Sequence, residues 1–121
     1  MSKVEEYLKR AESMEEEEED GSYKAYKEGR RAVSMSLDVR LKSGRRVGLS
    51  YTYRSSMELN GDTLIVRFTD YIVKIVGRNL KPVYDLLLEH KIMWVQEWPG
   101  GQDMTPEAST FIESIEVAQR A

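Results

Sequence analysis

Between Met35 and Ile75 the apolar residues fall largely on alternate positions, and this two-residue period restricts the chain more than any other feature. Met35, Leu37, Val39 and Leu41 alternate with Ser36, Asp38 and Arg40, and Val47, Leu49, Tyr51 and Tyr53 alternate with Arg46, Gly48, Ser50 and Thr52. A strand sends successive side chains to opposite faces, so such a run buries one face and wets the other. A one-residue slip would turn the whole apolar row into water, which specifies the register strongly. Keeping both rows together sets Leu41 opposite Val47 across an odd loop, of three residues at Ser43-Gly44-Arg45 or of five. Asn60-Gly61 predicts a two-residue hairpin turn with both central φ positive, placing Met57 opposite Leu64 and Tyr53 opposite Phe68. A tight turn at Thr69-Asp70 sets Phe68 against Tyr71, Val66 against Val73 and Leu64 against Ile75. One apolar face thus runs through four strands.

That face needs a cover. Asn79 can cap a helix whose first turn tolerates Pro82 and whose stripe is Leu80, Val83, Tyr84 and Leu87, broadened by Leu86 and Leu88. Ile92 to Glu97 reads as a short final strand, and Thr105-Pro106-Glu107 opens a C-terminal helix using Phe111, Ile112 and Ile115. At the other end Ser2 and Glu5 have capping-box spacing, with Val4, Tyr7, Leu8, Ala11 and Met14 on one side of a helix over about residues 3–14. The expected fold is α+β: a twisted antiparallel β-meander of four to five strands covered on one face by helix, with an N-terminal amphipathic helix and a C-terminal helix. A chain of 121 residues with 40% hydrophobic content supports one modest core. It divides into an amphipathic helix and acidic run (1–20), a basic linker (21–33), the sheet and helix core (34–98), and a loop with the last helix (99–121).

The same parity assigns the outward face. It collects Arg40, Lys42, Arg46, Arg54, Arg67, Lys74 and Arg78 against Asp38 and Glu58. Ile65, Ile72 and Val76 stand among these bases as a small apolar patch. An apolar patch ringed by Arg suits a protein contact, so a protein-interaction or accessory module, engaging a partner or a second copy, is the first expectation. The alternative is a nucleic-acid-binding domain that uses the bases electrostatically. Tyr51, Tyr53, Phe68 and Tyr71 fall on the core face, which leaves that alternative phosphate contact rather than base stacking.

The net charge of −3 conceals three zones. Residues 1–20 carry three bases against nine acids, residues 21–54 nine against two, and residues 55–121 six against ten. Six consecutive acids, Glu15 to Asp20, therefore abut the most basic part of the chain. The run reads first as a solvated acidic tail, the usual role of such a stretch; the alternative is that it folds back over the basic face and modulates what binds there.

Catalytic chemistry has little to build on. His90 is the only histidine and Cys is absent, so no nucleophile–base pair or thiolate metal site is in view, and the glycines match no phosphate-binding spacing. The expectation is a non-enzyme with no cofactor, no metal and no small-molecule ligand. Glu5 and Glu6 stand where a signal peptide needs an apolar run, and no stretch approaches the ~18 apolar residues of a membrane span, so a soluble cytoplasmic protein without membrane contact is expected. Trp94 and Trp98, four apart, read as core or interface anchors.

Residues 35–77 resemble the Sm-like small barrels in their order of short strands and in VRLKSGRRVG near the first turn. The segments SSMELN and VGRN stand where that family places its RNA-contacting pairs, with Gly77-Arg78 in inverted order, and a helix and strand after residue 79 lie outside its pattern. No RNA-binding residues are carried over from the family.

Overall fold

A computed structural model describes residues 23–29 and 33–120. Its elements are strands β1 (Tyr26–Glu28), β2 (Ser36–Arg40) and β3 (Arg46–Ser50), a 3-10 turn (Tyr51–Tyr53), strands β4 (Arg54–Asn60), β5 (Thr63–Phe68) and β6 (Tyr71–Arg78), helix α1 (Lys81–Leu88), and strands β7 (Ile92–Gln96) and β8 (Phe111–Gln119). The expected α+β class holds in outline, but eight strands form two four-stranded sheets in place of one meander. The first sheet has the order β1-β7-β2-β3, with β2 and β7 parallel, and the second has the order β4-β5-β6-β8, antiparallel throughout. One helix is present among the described residues. The expected N-terminal helix lies outside them.

The β5–β6 register is as the sequence predicts, with Val66 opposite Val73 and Leu64 opposite Ile75. The other two hairpins keep the predicted faces but slide by two residues. Val47 lies opposite Val39 rather than Leu41, and Met57 lies opposite Val66 with Gly61-Asp62 as the turn. An even slide costs no burial, so side-chain parity could not choose between these registers. Gly61 takes φ +63, which a side chain would resist.

The C-terminal helix is corrected to strand β8, which pairs with β6 from Tyr71 to Arg78. Phe111, Ile112 and Ile115 do have helix-like spacing. Ile112, Ile115 and Val117 are β-branched, however, and the edge of β6 offers partners for the backbone that an exposed helix would lack. A bulge between Val76 and Gly77 brings Gly77 against the Phe111 backbone, where the absence of a Cβ permits the approach.

Both sheets share one core, in which Leu37, Val39, Leu64, Val66, Val73, Ile75, Val83, Leu87, Ile92, Val95 and Ile112 have no exposed surface. Met35 and Tyr53 depart from expectation, at 84% and 61% exposed, because the strand pairing has ended where they stand. The sheets are joined at two corners. At one, the 3-10 turn bends β3 directly into β4. At the other, the Trp98 N–H donates to the Ile112 carbonyl (2.9 Å), and the Tyr23 hydroxyl donates to the Gln96 carbonyl (2.6 Å) while accepting the Ile112 N–H (3.1 Å). Glu97, the one buried charged residue among those described, completes this corner. Its carboxylate accepts the Lys42 N–H (2.8 Å) and the Ile115 N–H (2.9 Å), tying the β2–β3 hairpin to β8.

Helix α1 forms where predicted, capped differently. Asn79 adopts φ 54 and its amide donates to the carbonyls of Glu107 and Ser109, leaving Leu80 at the N-cap without a side-chain bond. His90 follows the helix at φ 57 and stacks on Tyr51, centroids 4.6 Å apart.

Candidate interaction surfaces

Two sheets mean two outer faces, and the residues that parity assigned to a single surface divide between them. On the first sheet, Val39, Val95 and Tyr26 point to the core, so their neighbours Asp38, Arg40, Trp94, Gln96 and Lys27 point out. Arg46 lies opposite Arg40, and the hairpin adds Lys42 and Arg45. On the second sheet, Leu64, Val66, Val73 and Ile75 are buried, which turns Ile65, Arg67, Ile72, Lys74 and Val76 outward.

The basic residues are largely engaged. Asp38 accepts hydrogen bonds from both Arg40 (3.1 Å) and Arg46. Partial burial pushes the Asp38 carboxyl up, but the bonds from Arg46 and Arg40 outweigh this and hold it below its ordinary value. Arg67 pairs with Glu58 at 3.7 Å. Arg54 leaves the face altogether, donating to the Leu87 carbonyl at the end of α1, where a cation meets the negative end of the helix. Arg78 pairs with Asp103 (3.0 Å), donates to the Thr105 carbonyl and lies over the Phe111 ring at 4.6 Å, so it anchors the loop before β8. Its Nε is buried without a partner among the described residues. Of the seven predicted bases only Lys42 and Lys74 lack such a contact there.

Sequence parity missed Trp94. The β1–β7 pairing skips Met93, and this bulge places Ile92 and Val95 both in the core while Trp94 faces outward. The Arg40 guanidinium lies 4.4 Å from its ring centroid. Trp98, beyond the end of β7, instead packs edge-on against Tyr23 (5.1 Å) and near Phe111 (5.4 Å). Nothing short of the pairing itself reveals a bulge inside a five-residue strand.

The apolar residues stay together. Ile65 lies opposite Lys74, Arg67 opposite Ile72, and Thr63 opposite Val76, so Ile72 and Val76 flank the Lys74 stem and both sit diagonal to Ile65. The row continues across β8, where Ala118 faces Ile72 and Glu116 faces Lys74. All three are half-buried, and no described helix or strand packs extensively across them.

A groove of about 710 Å³ lies apart from both faces, lined by Tyr23, Tyr26, Pro82, Trp98, Met104 and Pro106 among others, with Lys24 its only charged lining residue among those described. Burial pushes the Tyr23 phenol well above its usual range, so at neutral pH it remains the hydroxyl that ties the sheets. Among the described residues no group of three or more His, Asp or Glu is placed to hold a metal ion, and no helix is long and apolar enough to cross a membrane. Comparison with models of known families, with curated proteins and with solved structures finds no significant match.

Proposed function

We propose that the domain is a small non-enzymatic protein-interaction module that engages its partner through the outer face of the β4-β5-β6-β8 sheet. The observation that supports this is the grouping of Ile65, Ile72 and Val76 in adjoining rows under no extensive cover. Bases and acids alternate around them, Arg67 and Lys74 on the inner strands with Glu58 and Glu116 on the outer ones. A rim of both signs favours a folded partner with matched polarity over a uniformly charged polymer. A photo-reactive phenylalanine analogue at position 72 tests the reading, with the exposed Thr52 as control position. Adducts to a partner or to a second copy from position 72 and not from position 52 support it. Adducts from neither, or equally from both, refute it.

Polyanion binding is the second reading, and the first sheet favours it. Arg40, Lys42, Arg45 and Arg46 surround Asp38 on its outer rows and hairpin, so these bases outnumber that acid even after ion pairing. Such binding would weaken steeply with salt, whereas contact through the isoleucines would not.

A further inference from the structure

We propose that the open half of β8, from Glu116 to Arg120, is the pairing edge for a second copy of this chain, joining two four-stranded sheets into one of eight strands about a twofold axis at Ala118. The inference concerns the edge of that sheet rather than its outer face, and it does not need the isoleucine reading to hold.

It rests on which backbone groups of β8 are already taken. β8 ends its sheet, with β6 on one side and no described strand on the other. The Arg120 N–H donates to the Asp70 carbonyl at 2.8 Å, so the even residues from 114 to 120 bond towards β6. Residues 115, 117 and 119 therefore direct N–H and C=O to the open side. Nearer the corner that side is filled. The Ile112 N–H meets the Tyr23 hydroxyl, the Ile112 carbonyl takes the Trp98 N–H, and the Glu97 carboxylate holds the Ile115 N–H. The outward groups of Val117 and Gln119 have no such partner among the described residues. An open edge is a template for a further strand, and no proline or lysine interrupts β8 to guard it.

The free groups also choose the register. Antiparallel pairing centred on Ala118 sets Val117 opposite the second copy's Gln119, and the N–H and C=O of both residues are all satisfied. Centring on Val117 instead would call on the Ile115 N–H, which Glu97 already holds. With Ala118 at the axis, the smallest side chain of the strand occupies a non-hydrogen-bonded pair, where side chains approach most closely. Charge agrees with this choice. Glu116 falls opposite the second copy's Arg120, an attractive cross-strand pair, and lies beside Lys74 of its own chain. The overlap is short, so the association is weak and depends on concentration.

Ala118→Cys tests the proposal, because the chain has no cysteine of its own and residues facing across such a pair have Cα atoms ~4.5 Å apart, within disulfide reach. Under mild oxidation this variant should form a disulfide-linked dimer several-fold faster than Thr52→Cys, an exposed control. Adding Val117→Pro removes an outward N–H and no bond to β6, so it should slow the reaction to the control rate while the circular dichroism of the fold is kept. Where that variant unfolds, Glu116→Arg takes its place: it sets like charges face to face and should slow the disulfide, and Arg120→Glu added to it should restore the rate. The disulfide reads only the edge, so this proposal and the isoleucine reading can fail separately. Ala118→Cys no faster than Thr52→Cys, or a rate unchanged by Val117→Pro in the folded protein or by Glu116→Arg, overturns the proposal.

Discussion

Gly77 offers the sharpest test of the two-sheet arrangement, because the reason for a glycine there is backbone rather than side chain. A Cβ at residue 77 would fall inside the Phe111 carbonyl oxygen and within 3.0 Å of the Phe111 carbon and the Ile112 Cα. No rotamer change relieves a clash with main chain, so Gly77→Ala must push β8 away from β6 at the bulge. Overpacking of this kind costs about 1–3 kcal/mol. Displacing the Gly77–Ile112 and Arg78–Phe111 pairs adds about 1 kcal/mol for each ladder bond weakened. The expected loss is about 3 kcal/mol, a large part of the ~5–15 kcal/mol that holds a domain of this size. Gly48→Ala is the matched control: a Cβ there meets nothing within 4 Å, so the change should be neutral or stabilise by about 0.4–1 kcal/mol through the unfolded chain. Urea unfolding followed by circular dichroism, with slopes compared, reads both variants. Equal midpoints for the two substitutions would refute the β6–β8 pairing and return the C-terminal segment to a helix.

Further outcomes follow from other positions. Glu97→Ala strands the buried Ile115 N–H and removes the acceptor of Lys42, for a loss of about 2–3 kcal/mol, and hydrogen exchange at the Ile115 amide should accelerate. Leu49→Asp, at a site 5% exposed, should unfold the domain, while Ser50→Asp next to it should be tolerated; similar effects at both would remove the inward–outward assignment of β3. Because the Asp38 pKa is lowered on folding, its contribution is complete above the unfolded value of about 3.9 and is lost as pH falls through the lower folded value. Stability should therefore drop more as pH falls below about 4 in the native protein than in Asp38→Asn, and parallel acid profiles would show the Arg40–Asp38–Arg46 cluster to be inert.

What could be read from sequence divides along a physical line. The inward row of β2 to β6 was legible because alternation is local, and the β5–β6 register was legible because its turn leaves few alternatives. The parallel β2–β7 pair joins segments more than fifty residues apart and leaves no local trace. The short β1 lies in a stretch marked mainly by its charge, and β8 shares its spacing of Phe111, Ile112 and Ile115 with a helix. The surfaces follow the same rule. Ile65, Ile72 and Val76 were recoverable by parity, whereas the exposure of Trp94 depends on a bulge and the diversion of Arg54 on the end of a helix that packs beside it.

The corner at Tyr23 and Glu97 also bears on how the chain reaches this shape. The hairpins from β2 to β6 join neighbours in sequence and can form as soon as each is synthesised. Tyr23 must wait for Gln96 and then for Ile112, partners 73 and 89 residues away. Until β8 has left the ribosome, β6 presents an unpaired edge and the shared core stays open along one side. Strand β8, the latest made of the described strands, is thus the one that covers the β6 edge, and a chain truncated before Phe111 should expose β6 as a template for aggregation rather than persist as a smaller domain.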